Sequence, residues 1–113
     1  MSCKITYIPQ FARELKKLSR RYKSMKQDYA DLLDSLRENP LQGSDLGHGL
    51  RKVRMAITSK GKGKSGGARV ITYTVLLKAV DAELKLLAIY DKSDCENLSD
   101  KELLNVLKQN GLL

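Results

Sequence analysis

The chain has 113 residues, enough for one domain, residues 1–113, with a single modest core. Lys and Arg number 21 against 13 Asp and Glu, which gives a formal net charge of +8 at pH 7. No apolar stretch is long enough to span a membrane and no secretory signal is visible, so we expect a cytoplasmic protein without a membrane partner. Cys3 and Cys95 have no neighbouring cysteine or histidine, which argues against a disulfide framework and a metal site.

The charges are segregated along the chain. No acid occurs between residues 46 and 80, and Glu14 is the only acid in residues 1–26. A uniformly solvated surface would mix the two signs, so this distribution indicates a face that binds a polyanion. Composition alone leaves open the alternative that the charge only keeps the protein in solution.

The first third of the chain predicts a strand and two helices. "KITYI", residues 4–8, is typical of a short strand, and an apolar stripe at spacings of three and four follows it. Ser24 followed by Gln27 has the form of a capping box, which would start a second helix there. We therefore predict helices at about 10–21 and 25–38.

The rest of the chain predicts three strands and a helix. "ENPLQGSDLGHGL" is expected to be a loop because of its Pro and Gly content. "LRKVRMAIT", "ARVITYTVLL" and "LKLLAIYD" are predicted strands. Ser99 with Glu102 forms a capping box for a helix that ends near Gly111. This order predicts an α+β fold, a small antiparallel sheet with two N-terminal helices packed on one face and a short C-terminal helix.

The glycine-rich stretch "KGKGKSGGAR", residues 60–69, ends its lysine run in the "GKS" of a nucleotide phosphate loop. Thr58 stands where that motif requires its first glycine, and the stretch leads into a predicted strand instead of a helix. A nucleotide site is therefore disfavoured.

Basic side chains surround the predicted hairpin on either side of this stretch. Lys52 and Arg54 are two residues apart on one strand, so they project from the same face. If the strands pair, the charges gather at one end of the sheet. For a single lysine a solvated surface is the better interpretation, but the group favours contact with nucleic-acid phosphate.

Arg69 raises a difficulty for this arrangement. Strict alternation places it on the side of Ile71 and Tyr73, the expected core face, where an unpaired guanidinium would be costly. Either a bulge at the preceding glycines redirects Arg69, or Arg69 precedes regular strand pairing.

Conventional catalytic sets are missing from the sequence. His48 is the only histidine, it lies in "GHG", and no partner for it is apparent, which disfavours a role as catalytic base. No metal-ligand cluster is visible. Asp28, Asp31 and Asp34 have helical spacing and are expected on the solvated side of the second helix.

Three segments carry a resemblance to a known family: "GLRKVRMAI", "KSGGARVITY" and "LLAIYDKSDCENLSDKELLNVL". With them the chain resembles, over essentially its full length, the RelE/ParE superfamily of small bacterial toxins, most closely its HigB-like branch. The resemblance implies an endonuclease that contacts mRNA and rRNA and cuts message in the ribosomal A site. It implies attack of the RNA 2′-hydroxyl on the adjacent phosphodiester, without metal or cofactor. It also implies a cognate antitoxin, expected to carry a helix-turn-helix DNA-binding domain.

The resemblance also assigns roles by position. The residues that match the family's catalytic basic positions are Arg69, Lys52, Arg54 and Lys92. Further contacts with RNA or the ribosome are expected from Arg51, Lys60, Lys62 and Lys64. RelE has a further arginine where this chain has Ser93, and a tyrosine near the C-terminus where this chain has Leu98 and Ser99. Tyr90 or Tyr73 could stand in for that tyrosine.

Two other functions remain open. The ParE branch shares the fold and poisons DNA gyrase without cutting RNA. A nucleic-acid-binding module could use the same basic residues only to hold phosphates, and binding alone should survive Arg69→Ala with a modest, salt-dependent loss.

Overall fold

The computed structural model describes residues 2–76, 81–94 and 98–112. Its elements in chain order are β1 (Ser2–Tyr7), α1 (Pro9–Arg21), α2 (Met25–Glu38), β2 (Ser44–Gly47), β3 (Leu50–Met55), a 3₁₀ turn (Thr58–Lys60), β4 (Ala68–Leu76), β5 (Asp81–Asp91) and α3 (Asp100–Gln109). The predicted α+β class, with two N-terminal helices and a C-terminal helix, is confirmed.

The strands form one mixed sheet of five strands in the order β1-β5-β4-β3-β2. The pairs β2–β3, β3–β4 and β4–β5 are antiparallel, whereas β1 pairs with β5 in parallel. A parallel pair needs a long connection, which here includes both N-terminal helices. The first strand thus reaches an edge of the sheet beside the last one.

One sequence prediction about the sheet is wrong. Within the expected loop after α2, Ser44–Gly47 forms β2, which pairs with β3 through Ser44 opposite Lys52. The turn between them is made by His48 and its flanking glycines, all with positive φ, a conformation typical of tight hairpin turns. The strand is short and largely exposed, so it carries no apolar alternation that would reveal it.

Both N-terminal helices lie within one residue of their predicted bounds. Pro9 occupies the first helical position of α1, where its missing N–H leaves no hydrogen bond unmade. The predicted capping box at α2 is wrong, because Ser24 Oγ donates to the Asp28 carboxylate and Gln27 donates to Asp31. The helix starts where expected, but different bonds hold its first turn.

Helices cover both faces of the sheet. Leu32 of α2 and Met55 of β3 line one cleft, so α1 and α2 lie on the face of Val53 and Met55. Leu103 of α3 lines a cavity of about 130 Å³ with Leu50, which alternation places on the opposite face. The second face is therefore partly covered by α3.

Helix α3 has both predicted ends. Ser99 Oγ accepts a hydrogen bond from the Glu102 N–H and donates one to its carboxylate, as a capping box requires. At the other end, Gly111 has a φ of 67° and Leu112 N–H donates to Leu107 O, which closes a Schellman motif.

None of the helices in the described part of the chain is both long and apolar enough to cross a membrane.

Candidate nucleic-acid interface

Strand register places the predicted catalytic residues of β3 and β4 on one face. Arg54 lies directly opposite Arg69, and Lys52 lies opposite Ile71. On the other side of β4, Arg69 faces Tyr90. Residues opposite each other in register project from the same side of a sheet. We call the surface formed by Lys52, Arg54 and Arg69 the basic face.

The two explanations offered for Arg69 from the sequence are both wrong. Arg69 lies in regular pairing with both neighbouring strands, and no bulge precedes it within β4. It does share a side with Ile71 and Tyr73, but that is the face opposite α1 and α2, the one that carries Lys52 and Arg54. The expected conflict arose from assigning Ile71 and Tyr73 to the wrong face.

Arg69 is nevertheless buried, with 4% of its surface exposed. Its Nη1 donates to the carbonyl oxygens of Lys64 and Ala68, each at 3.0 Å, and its Nη2 donates to Ser65 O at 3.1 Å. These bonds replace the water that burial removes. No acid forms an ion pair with Arg69 or Arg54 within residues 2–76, 81–94 and 98–112, so these two arginines keep their positive charge.

The basic loop, residues 61–67, lies at the end of this face. Lys62 and Lys64 are exposed on it. Lys64 and Arg54 line a cleft of about 240 Å³ whose other wall is α2, with Asp28, Asp31 and Leu32, so this cleft lies on the α2 side of the sheet and not on the basic face. The structure thus brings a loop lysine and a strand arginine of the predicted set to one opening.

Lys60 is held in a different way. Its Nζ donates to Asp91 Oδ1 at 2.8 Å and to Ser93 Oγ at 3.3 Å, and only 11% of its side chain is exposed. The predicted RNA contact of Lys60 therefore competes with an ion pair inside the protein.

Asp91 was missed by sequence reasoning. Burial alone would raise the pKa of Asp91, but hydrogen bonds from Lys60, Ser93 and Tyr22 hold that pKa well below its usual range. The alternation of β5 could have predicted the burial of Asp91, because residues two apart on a strand share a face and Ile89 is buried.

The prediction that Asp28 lies on the solvated side of α2 with Asp31 and Asp34 is wrong. Asp31 and Asp34 are exposed, but Asp28 is buried and accepts from Thr58 N at 2.9 Å and from Thr58 Oγ1 at 2.5 Å. These hydrogen bonds connect α2 to the 3₁₀ turn, which immediately precedes the basic loop.

Two further predicted residues lie at different places. Arg51 neighbours Lys52 on β3, so it projects from the opposite side of the sheet, and it is half-buried. Lys92 is exposed at the end of β5, where its N–H donates to Gly67 O at 3.1 Å. Lys92 thus joins the end of the sheet that carries Arg69, whereas Arg51 does not.

His48 lies away from this group. It is exposed in the turn before Leu50, and Leu50 is four residues, or about 14 Å, along β3 from Arg54. Within the described ranges, no cluster of three or more His, Cys, Asp and Glu side chains has the arrangement of a metal site.

A comparison with protein families places this geometry in context. The sequence model of the RelE toxin of RelE/RelB toxin–antitoxin systems matches residues 9–111, from α1 to the end of α3. A comparison with curated proteins finds no match. The HigB-like branch stays a prediction. The family match spans nearly the whole chain and includes the basic face, and the chain therefore belongs to the RelE toxin family, the toxins of RelE/RelB toxin–antitoxin systems.

Proposed function

We propose that this toxin is a ribosome-dependent mRNA endonuclease in which Lys52 and Arg54 of the basic face bind the phosphate that is cut. The observation that carries the proposal is the register of Arg54 opposite Arg69, with Lys52 on the same side. Like charges directly opposite each other in a sheet are destabilising. A bound phosphate would offset that repulsion, which supports a polyanion as the partner of this face.

The proposed reaction is an internal transfer at phosphorus. The RNA 2′-hydroxyl loses its proton and its oxygen forms a bond to the adjacent phosphorus. The bond from phosphorus to the 5′-oxygen breaks and that oxygen takes up a proton, so the products are a 2′,3′-cyclic phosphate and a 5′-hydroxyl with no net change in protons. Negative charge grows on the non-bridging oxygens meanwhile. Lys52, Arg54 and Lys92 are proposed to stabilise this charge, because cations fixed in advance need no reorganisation during the reaction.

Tyr90 is the better candidate of the two tyrosines for stacking on a base or moving a proton. Register places it directly opposite Arg69. Tyr73 lies opposite Leu50, toward the end of β3 where α3 packs. Replacing the ring by leucine should therefore lower cleavage more for Tyr90→Leu than for Tyr73→Leu.

The proposed partners follow from this function. The toxin family implies a cognate antitoxin. We propose that the antitoxin carries a helix-turn-helix domain and is acidic where it covers the basic face. The ribosomal A site, mRNA and rRNA would be the other partners, in the cytoplasm.

Induced expression in a bacterial host tests the proposal. Wild type and the Lys52→Ala/Arg54→Ala variant would be expressed in parallel, with growth followed and a translated message mapped by primer extension. The control is Lys101→Ala/Lys108→Ala, which removes two exposed lysines of α3. We expect growth arrest and new cuts inside translated codons for wild type and control, with both lost in the strand variant.

Two results would contradict the proposal. Arrest without cuts would favour inhibition of DNA gyrase. If well-expressed wild-type protein neither arrests growth nor cuts message, the result would favour a non-catalytic nucleic-acid-binding module.

A further inference from the structure

We infer that Glu14 of α1 is a positioning residue, which binds the backbone of β5 beside a β-bulge and thereby holds Tyr90 on the basic face and Asp91 on the opposite face. The role of Tyr90 in cleavage rests on the proposed function, whereas the sides on which the two residues project do not.

The pairing of β4 with β5 is interrupted by one extra residue on β5. Ile71 lies opposite Ala88, but the next residue of β4, Thr72, lies opposite Leu86. Leu87 is therefore the additional residue of a β-bulge. Neighbouring residues of β4 project from opposite faces, so Ala88 and Leu86 also do, although they are only two residues apart on β5.

This bulge decides which side chains of β5 reach the basic face. Tyr90 lies opposite Arg69 and shares its side, whereas Asp91 projects from the other side, where its carboxylate binds Lys60. If β5 alternated regularly beyond Leu86, Tyr90 would project toward the helices and Asp91 toward the basic face. An acid would then lie beside Arg69, where it would oppose the binding of a phosphate.

Glu14 binds β5 next to the bulge. β1 pairs with β5 as far as Tyr7, which lies opposite Leu86, and the chain then enters α1. The Ile89 N–H lies beyond this point and donates to Glu14 Oε1 at 3.2 Å. Ile89 is 1% exposed, so water has little access to replace the carboxylate. Loss of this acceptor would leave a buried N–H without a hydrogen bond, which folded proteins rarely tolerate.

The position of Glu14 on α1 is unfavourable for a carboxylate in other respects. The buried residues Phe11 and Leu18 lie three residues before it and four after it, which places them on the same side of the helix. Burial raises the pKa of Glu14, and the hydrogen bond from Ile89 acts in the opposite direction. The bond to β5 therefore compensates for part of the cost of placing an acid there.

Two substitutions separate the reach of Glu14 from its charge. Glu14→Asp keeps the charge but shortens the side chain by one methylene group. Glu14→Gln keeps the length and an acceptor oxygen but loses the charge. Glu38→Asp is the matched control, because it shortens an exposed acid at the end of α2.

Amide hydrogen exchange and cross-strand NMR contacts on the protein alone test the hold on β5. We expect the Ile89 N–H to exchange at least about tenfold faster in Glu14→Asp, and at nearly the wild-type rate in Glu14→Gln and Glu38→Asp. The contact between Tyr90 and Arg69 should weaken only in Glu14→Asp. Wild-type exchange in Glu14→Asp, or a preserved contact after the Ile89 bond is lost, would overturn the inference. Glu14→Gln decides the question if Glu14→Asp fails to fold, since faster exchange in that variant would also overturn it.

Single-turnover cleavage on programmed ribosomes connects this hold to the proposed function. We expect Glu14→Asp to cleave about tenfold more slowly at saturating protein, with unchanged affinity for ribosomes, and Glu14→Gln to stay within about twofold of wild type. Equal slowing in both variants would assign the effect to the charge of Glu14 and contradict the inference. A wild-type protein that cleaves nothing would contradict the proposed function alone, because the exchange measurement needs no RNA.

Discussion

Asp91 connects several segments around the basic loop through one buried carboxylate. It accepts hydrogen bonds from Tyr22 at the end of α1, from Lys60 before the loop and from Ser93 after β5. Arg21 lies 3.5 Å from the same carboxylate. The charge of this group therefore stabilises the surroundings of the basic face without forming part of it.

Replacing Asp91 with asparagine should destabilise the fold by about 3 kcal/mol at pH 7, because it leaves the Lys60 ammonium, on a side chain only 11% exposed, without its counter-charge. The pKa of Asp91 is lowered by folding, so its charge contributes stability above about pH 4, and this contribution is lost as the pH falls further. Urea unfolding at pH 7 and pH 3 should show a smaller difference between wild type and variant at pH 3.

Asp94→Asn is the matched control, because the Asp94 side chain is 55% exposed and its pair with Arg21 contributes little. An equal loss for Asp91→Asn at both pH values would mean that the carboxylate charge does not stabilise the fold.

At the level of elements, the junction of β3, the basic loop and β4 depends on the backbone at Gly67. A Cβ added there would lie 2.1 Å from Met55 O and 2.9 Å from Ile57 N, both backbone atoms. Gly67→Ala should therefore cost more than about 2 kcal/mol of unfolding free energy, since backbone must shift to accommodate the methyl group.

Gly63→Ala tests the same substitution within the loop. Gly63 has a φ of 62° but nothing within 4 Å of an added Cβ, so we expect a cost of about 1 kcal/mol from backbone strain alone. Thermal or urea unfolding measures both variants. A Gly67→Ala protein as stable as Gly63→Ala would contradict the close approach of β3 and the loop.

The elements also show how far the sequence predicts the fold. The apolar stripe predicted helical structure through α1 and α2, but the boundary between them was placed by a Ser24–Gln27 capping box whose bonds do not form. The start of α3 was predicted because Ser99 and Glu102 act only locally. β2 was missed because its pairing with β3 depends on a turn instead of an apolar pattern. Local patterns were sufficient for single elements but not for polar pairing.

For the candidate site, the sequence predicted which residues of one strand share a side, but not the side or the burial of Arg69. The spacing of Lys52 and Arg54 fixed their common side, and this held once the strands paired. The side on which Arg69 projects depends on which face α1 and α2 cover, and its burial depends on carbonyls of a loop that has no periodicity. Both are properties of the tertiary structure.

For the molecule as a whole, positive charge lies on both sides of the sheet. The only acid of α1, Glu14, is half-buried and accepts from the Ile89 N–H at 3.2 Å. The exposed basic residues of α1 are Arg13, Lys16, Lys17, Arg20 and Arg21. Because α1 and α2 cover the face opposite the basic face, exposed cations point in two directions, and the proposed RNA contact could extend over both.

Association with ribosomes should therefore weaken steeply with salt, by at least about tenfold between 50 and 200 mM monovalent salt, because displaced counterions drive the binding. Cosedimentation of purified protein with ribosomes over this range measures it. Binding that does not change with salt would show that phosphate contacts do not dominate the interaction.

Cleavage by purified protein on programmed ribosomes tests the central claim most directly. The end-labelled message would carry either ribose or a single 2′-deoxyribose at the nucleotide before the cut. We predict a cut in the A-site codon only on ribosomes, a 5′-hydroxyl on the downstream fragment, no cut at the 2′-deoxy position and about 100-fold slower cleavage by Arg54→Ala. An intact message on ribosomes that bind the protein, or equal cleavage of the 2′-deoxy message, would contradict the proposed reaction.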